Sequence, residues 1–248
     1  MDAALSTPAY VRVRERMLAD IAGGAWPVGA HLTLAELERR YGVSQSPIRE
    51  ALLHLSGDGV VVLRAHRGAA LPPLDRRTLG ELYGVRGALQ ALTAREAAAR
   101  ATRAALAPVH AAARAYDQAA EAGDEAALAA ANRAFHGAID RLSDNRMAIA
   151  MLEARAALVD AVRRACGYGP GRPRAATRQH RAILAALGRR DGEAAARAVM
   201  QHVAASWRDL DARLHGKEEA EEANDDTHAP GSVRAAGIAV RGIACPRV

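Results

Sequence analysis

Three histidines lie in stretches of helical period. They are His136 in Ala131-Asn132-Arg133-Ala134-Phe135-His136, His180 in Arg178-Gln179-His180-Arg181-Ala182-Ile183-Leu184, and His202 in Met200-Gln201-His202-Val203. Asn132 and His136 are four residues apart, which puts both on one helix face. The neighbours of His180 and His202 are apolar at helical spacing, so both helices turn these rings inward. Imidazole is the commonest metal ligand, and three of them converging between helices would make a divalent metal site. The same pattern fits histidines that hydrogen-bond inside a helical core, and spacing alone leaves both readings open.

A second set of polar side chains sits in AELERRYGVSQSPIREALLHL, Ala35 to Leu55. Gln45, Ser46 and Arg49 lie at the start of a helix whose apolar face is Ile48, Ala51, Leu52 and Leu55. Ser44 can cap that helix, and Pro47 is tolerated in its first turn, where backbone N–H groups have no partner. Gly42 stands where the preceding helix stops on a left-handed residue. Two short helices around a tight turn make a helix-turn-helix, which puts its base-reading side chains at these positions.

The flanking elements fit this arrangement. Val11 to Ile21 is an amphipathic helix, followed by the loop Gly23-Gly24-Ala25-Trp26-Pro27-Val28-Gly29. Gly57-Asp58-Gly59 ends the reading helix. Val60 to Leu63 and Ala69 to Leu71 form a hairpin wing with Arg67 and Gly68 at its tip. A DNA-binding unit over 8–72 results. Leu71-Pro72-Pro73-Leu74 reads as a linker, and Asp75 caps a long helix to about Ala101. Further helices are expected near 103–121, 124–142, 145–166, 173–189 and 191–215, separated by cap and turn signals. The expected fold is mainly α: a winged helix-turn-helix, then an antiparallel six-helix bundle over 75–215. Residues 216–248 mix acids, Pro and Gly without helical periodicity and read as a disordered tail.

Half of the residues are hydrophobic but only 3% are aromatic. Alanine, the best helix former, dominates that half, so the core is Ala/Leu/Val helix packing. The net charge is +6; Lys217 to Asp226 contributes −5, which leaves +11 on the rest. A basic body suits a nucleic-acid partner, although an Arg-rich composition alone would also produce it. Cys166 and Cys245 form no CxxC pair, which fits a reduced compartment and excludes a cysteine zinc site. No signal segment and no apolar run of membrane length is present, so a soluble cytoplasmic protein with no membrane partner is expected.

The order helix, loop, helix, turn, helix, wing resembles the DNA-binding domain of the GntR family of bacterial transcription regulators. The resemblance is carried by Gly29, Leu32, Leu37, Gly42-Val43-Ser44, Pro47-Ile48-Arg49-Glu50-Ala51-Leu52, Leu55, Gly59 and Arg67-Gly68. The bundle is similar to the FCD effector domain of the FadR-type branch. It does so through Asn132/Phe135-His136, Ser143-Asp144-Asn145, His180/Ile183-Leu184 and Met200-Gln201-His202. Six helices point to the shorter VanR-like subgroup.

The resemblance implies a ligand-responsive regulator, a homodimeric repressor on a two-fold DNA operator. Ser44, Gln45, Ser46, Arg49, Arg67 and Gly68 would face DNA. Asn132, His136, His180 and His202 would bind a divalent ion, with zinc or nickel suiting imidazole best. Arg86, in Glu81-Leu82-Tyr83-Gly84-Val85-Arg86, would either clamp an effector carboxylate or form an ordinary salt bridge.

Some residues depart from the family pattern. Asn132 replaces a frequent Asp, which leaves the full dication charge on the site and favours an anionic effector. Gln45 replaces a frequent Arg, which shifts the preferred base from guanine toward adenine. Gln90 stands where a Glu is common, and Ala35 where some relatives have a basic residue. Two other functions fit these residues less well. A metal-dependent hydrolase lacks its general base, because Asn132 cannot serve and no HExxH occurs. A non-specific DNA- or RNA-binding protein would leave the inward histidines unexplained, and RRM-like aromatics are absent.

Overall fold

The computed structural model describes residues 7–27, 29–64, 67–72 and 74–225, with side chains to Leu214. They fall into two compact units, one running to Leu74 and including Glu153–Ala165, the other holding Asp75–Leu152 and the described residues from Cys166 onward.

In the first unit, α1 (Ala9–Ala22) and α2 (Leu34–Tyr41) pack on α3 (Gln45–Gly57). Thr33 caps α2 by accepting from the Glu36 amide at 3.3 Å, and Gly42 ends it with φ 68°. Ser44 is the N-cap residue of α3, but its side chain makes no capping hydrogen bond. Val13, Met17, Ile21, Leu37, Ile48, Leu52 and Leu55 form the core under these helices. The wing is β2 (Val62–Arg64) and β3 (Gly68–Ala70), with Ala65 and His66 outside the described residues. A short β1 (His31–Leu32) pairs with β3 and completes an antiparallel sheet of order β1-β3-β2. Gly68 has φ 90°, and a Cβ there would lie 2.1 Å from the Leu32 carbonyl oxygen. Only glycine fits that approach.

Trp26, from the loop after α1, is buried edge-on to Tyr41. Tyr41 donates to Asp20 at 2.8 Å, and Arg40 donates to the same carboxylate at 2.7 Å. Together they fix α2 to α1. Of the 153–165 segment, Arg164 donates to the Ala22 carbonyl at 3.1 Å.

The second unit contains α4 (Arg76–Arg100), α5 (Ala107–Ala122), α6 (Glu125–Ser143), the start of α7 (Arg146–Ala154), α9 (Arg172–Gly188) and α10 (Gly192–Asp225). Most of α8 (Ala156–Cys166) belongs to the first unit. Asp75 caps α4 by accepting from the Thr78 amide at 2.7 Å, and Asp124 caps α6 by accepting from Ala127 at 2.9 Å. α4 packs against α6 and α10, α5 against α6, and α9 against α5 and α10.

Two expectations change. The single helix expected over 145–166 is broken at Arg155 into α7 and α8, so the described residues after Leu74 hold seven helices rather than six. No Gly or Pro lies at the break, so nothing local announced it. α10 also continues through Asp225, past the His215 boundary set for a disordered tail. Residues 226–248 of that tail lie outside the described residues.

Candidate functional site

Gln45, Ser46 and Arg49 are exposed at the start of α3, as is Ser44 just before it, because Ile48, Ala51, Leu52 and Leu55 take the opposite face into the core. Gln45 donates to Glu38 of α2 at 3.0 Å, and Arg49 donates to the Gln45 amide oxygen at 3.0 Å. A chain Glu38–Gln45–Arg49 therefore orders the exposed side chains before any partner arrives. Glu38 was not among the expected residues; its position one turn before Gly42 was the only signal. Arg67 is exposed beside the wing turn, and Gly68 is held against β1. Exposed cations with a helix N-terminus beside them suit phosphate and base-edge contacts.

In the second unit, α6, α9 and α10 bring His136, His180 and His202 together. Their nearest ring nitrogens lie within 4.8 Å of one another, and the rings are at most 4% exposed. Phe135 stacks on His180 at 4.1 Å between ring centres, and Tyr116 meets it edge-on. Burial in this aromatic surrounding is the main reason that the imidazoles resist protonation. His180 is pushed down to about 3. His136 and His202 are held well below 6.5, with Arg86 and Arg172 adding to the effect. All three rings are neutral at physiological pH and present lone pairs.

The tautomer of His202 follows from its partner. Its Nδ1 lies 3.0 Å from the Gln179 amide oxygen, which also accepts from Arg172 at 3.0 Å. An oxygen that already takes a guanidinium N–H is an acceptor, so His202 carries its proton on Nδ1 and keeps a lone pair on Nε2. Orientation of a ligating imidazole through its second nitrogen is the usual support of a metal site. His180 has neither ring nitrogen partnered among the described residues, although both are buried. A ring N–H and a lone pair left together without partners are costly, and an ion at the lone pair would satisfy one of them. The donor set therefore fits a divalent ion.

The other expected residues are placed as follows. Asn132 lies one turn before His136 on α6, is only partly buried and makes no hydrogen bond among the described residues. Arg86 is partly buried on α4 and makes no hydrogen bond or ion pair among the described residues. Its charge acts on His136, His202 and Asp140. Of the two readings open for Arg86, the ordinary salt bridge is therefore not formed. Ser143-Asp144-Asn145 makes the corner from α6 to α7: Asp144 has φ 58°, and Asn145 donates to Glu96 of α4 at 3.0 Å.

Sequence reasoning missed Arg172, Gln179, Thr93 and Asp140. Arg172 is 7% exposed at the start of α9, one residue before the helix expected from 173. Asp140 is 8% exposed and accepts from Thr93 at 2.6 Å. Its place one turn after His136 was the available signal.

One chain thus carries a winged helix-turn-helix with an ordered reading face and a helical unit with a buried imidazole triad, the layout of a DNA-binding regulator with a second, helical domain. Residues 9–71 match the family described as bacterial regulatory proteins, gntR family, and residues 81–205 match the FCD domain. The chain is 31% identical to a probable D-xylose utilization operon transcriptional repressor of Paenarthrobacter nicotinovorans, over 78% of this chain and 85% of that protein. It is 28% identical to the HTH-type transcriptional repressor RspR of Escherichia coli K12, over 71% and 77% of the two chains. The solved structure of E. coli McbR/YncC superposes with a TM-score of 0.71 at 24% identity, covering 82% of this chain and 98% of that one. This chain belongs to the GntR family of bacterial transcription regulators, with an FCD domain as its effector domain, as in the FadR-type branch. It is a regulator and not an enzyme.

Proposed function

We propose that this protein is a homodimeric repressor that binds a two-fold operator and rearranges on DNA when a small carboxylate binds in its FCD domain. The observation that carries the reading is the buried, neutral imidazole triad with His180 unpartnered, within electrostatic reach of an Arg86 that forms no ion pair among the described residues. His136, His180 and His202 would hold one divalent ion, with Asn132 as a weak fourth ligand; zinc or nickel suits this set. When bound, the ion supplies positive charge and open coordination positions for an anion.

The protein's own residues do the rest. Gln179 and Arg172 orient His202, Phe135 and Tyr116 keep water from His180, and Arg86 takes the effector carboxylate as a bidentate donor. Asn132 brings no negative charge, so the site keeps its attraction for an anion. Ser44, Gln45, Ser46 and Arg49 meet the major groove, with Arg67 and Gly68 at the wing contacting the backbone. No helix among the described residues is long and apolar enough to cross a membrane, and a repressor acting on a DNA operator would work in the cytoplasm.

The test is binding to a selected duplex with and without a panel of carboxylates, on metal-supplemented protein. At least one acid should release or shift the complex, and Arg86→Ala should lose that response while keeping DNA affinity. An Arg86→Ala protein that responds normally would remove Arg86 from the site.

A further inference from the structure

The outer side of α9 borders a cleft that the reading above does not use. α9 turns Ala176, His180, Ile183 and Leu187 into the unit. On its opposite face Arg174, Arg178 and Arg181 follow at i, i+4 and i+7, and all three are exposed. α5 packs alongside and presents Asp117 and Glu121, one turn apart. With Thr177 these side chains line an open cleft of about 520 Å³, the size of a small-molecule site.

Pairing inside the cleft is uneven. Asp117 accepts from Thr177 at 2.7 Å with one oxygen and from Arg181 at 3.1 Å with the other. Both of its oxygens are engaged, and Arg181 is held in place. Arg174 and Arg178 make no hydrogen bond or ion pair among the described residues, although Glu121 lines the same cleft. α9 (Arg172–Gly188) contains four arginines and no acid. Local physics opposes this arrangement. Like charges at i, i+4 destabilise a helix, and cations in a first turn, where Arg174 stands, oppose its dipole. Residues that break local rules on an exposed face, around a cleft, mark a place kept for a ligand.

The geometry of the donors decides which anion fits. One guanidinium fork satisfies both oxygens of a carboxylate. Two free forks one turn apart exceed what a carboxylate can accept. A phosphate monoester brings three acceptor oxygens and nearly two negative charges at neutral pH. Glu121 in the wall would repel a nucleic-acid backbone running through the cleft. Toward a monoester, the same carboxylate accepts a hydroxyl of the organic part.

We infer that the cleft between α5 and α9 binds a phosphate monoester with a hydroxylated carbon skeleton. Arg174 and Arg178 hold the phosphate, Arg181 stands beside them on Asp117, and Glu121 takes a hydroxyl. The site lies on the other face of α9 from His180 and does not depend on how the histidine centre is read.

The test is calorimetry on the chelator-treated full chain, so that no ion at the histidines can take phosphate. The probes are glycerol 3-phosphate, ethyl phosphate, dimethyl phosphate and acetate. Both monoesters should bind, glycerol 3-phosphate the more tightly. The diester and acetate should be weaker by on the order of tenfold or more, the size of one charge-assisted hydrogen bond. Arg174→Gln combined with Arg178→Gln should lower monoester affinity by at least about tenfold. It should keep or raise the ligand-free thermal midpoint, because it relieves a repulsion. Arg189→Gln removes an exposed arginine at the other end of α9 and should leave binding unchanged. Glu121→Ala should bring the two monoesters to equal affinity.

No binding of either monoester, or unchanged binding by the double variant, would overturn the site. So would an equal loss in Arg189→Gln, which would show attraction to net charge alone, or a fall in the double variant's midpoint, which would make the arginines structural. Dimethyl phosphate or acetate binding as tightly as the monoesters would overturn the ligand class. A preference for glycerol 3-phosphate that survives Glu121→Ala would overturn the hydroxyl contact.

Discussion

At the scale of single residues, the exposed face of α3 is already wired before DNA binds. Arg49 reaches Gln45, and Gln45 reaches Glu38. On the proposed reading, DNA exchanges these bonds for base and phosphate contacts. Arg49→Ala should weaken specific binding by about 1–3 kcal/mol if the lost contact is bidentate to a base, measured by titration of a selected duplex; unchanged binding would place Arg49 outside the interface. Glu38→Ala frees Gln45 and removes a negative charge, so non-specific affinity should rise, with the largest gain at low salt. Gln45→Arg should move one selected base in each half-site from A toward G, and identical motifs from both proteins would show that Gln45 touches no base.

The histidines make a pH prediction. Unfolded histidine titrates near 6.5, whereas the folded rings stay neutral, His180 down to about 3. Between those values the unfolded chain binds more protons, so stability falls as pH drops through that window. Asp140 is raised by burial and acts in the opposite sense, but one carboxyl opposes three imidazoles. The thermal midpoint of chelator-treated protein should therefore be lower at pH 5 than at pH 7.5; a flat profile would mean that the rings are not held neutral. Gln45 and Arg49 were legible because the apolar stripe of α3 fixes which side faces out. Arg172, Gln179 and Asp140 were not, because their roles depend on partners brought in from other helices.

At the scale of elements, local signals placed most of the helices. Asp75 and Asp124 cap α4 and α6, and Gly42 ends α2 in the left-handed region. Each is a decision between neighbouring residues, so sequence carries it. β1 is two residues long and has meaning only through its pairing with β3, which no periodicity can show. The break at Arg155 lies in Glu153-Ala154-Arg155-Ala156, a run of good helix formers, so its cause is tertiary.

The extension of α10 to Asp225 escaped because the acidic run lacks an apolar stripe, although Glu and Ala are strong helix formers in any case. A helix without a stripe has little to bury. A chain ending at His215 should keep its thermal midpoint to within a degree or two, a shift small against the ~2–4 °C per kcal/mol of a chain this size; a larger loss would mean that 216–248 packs on the body.

At the scale of the whole molecule, the chain passes between the two units at Leu74, at Leu152 and again at Ala165. The segment 153–165 stays with the DNA-binding unit, where Arg164 bonds the end of α1, while both of its ends join the effector unit. An effector shifts the molecule only by its difference in affinity between two arrangements. Asn132→Asp should tighten metal binding and weaken the anionic effector, since a carboxylate ligand neutralises part of the charge the effector meets.

The most direct test of the central claim is the metal content of purified, metal-supplemented protein and of His180→Ala, read beside duplex binding with and without effector. The native protein should hold one divalent ion per chain and respond to the acid. His180→Ala should hold none, bind the duplex with near-native affinity and show no response. A native protein that holds no ion after supplementation, with a His180→Ala variant that still responds, would show that the imidazole triad is a polar core and not a sensing site.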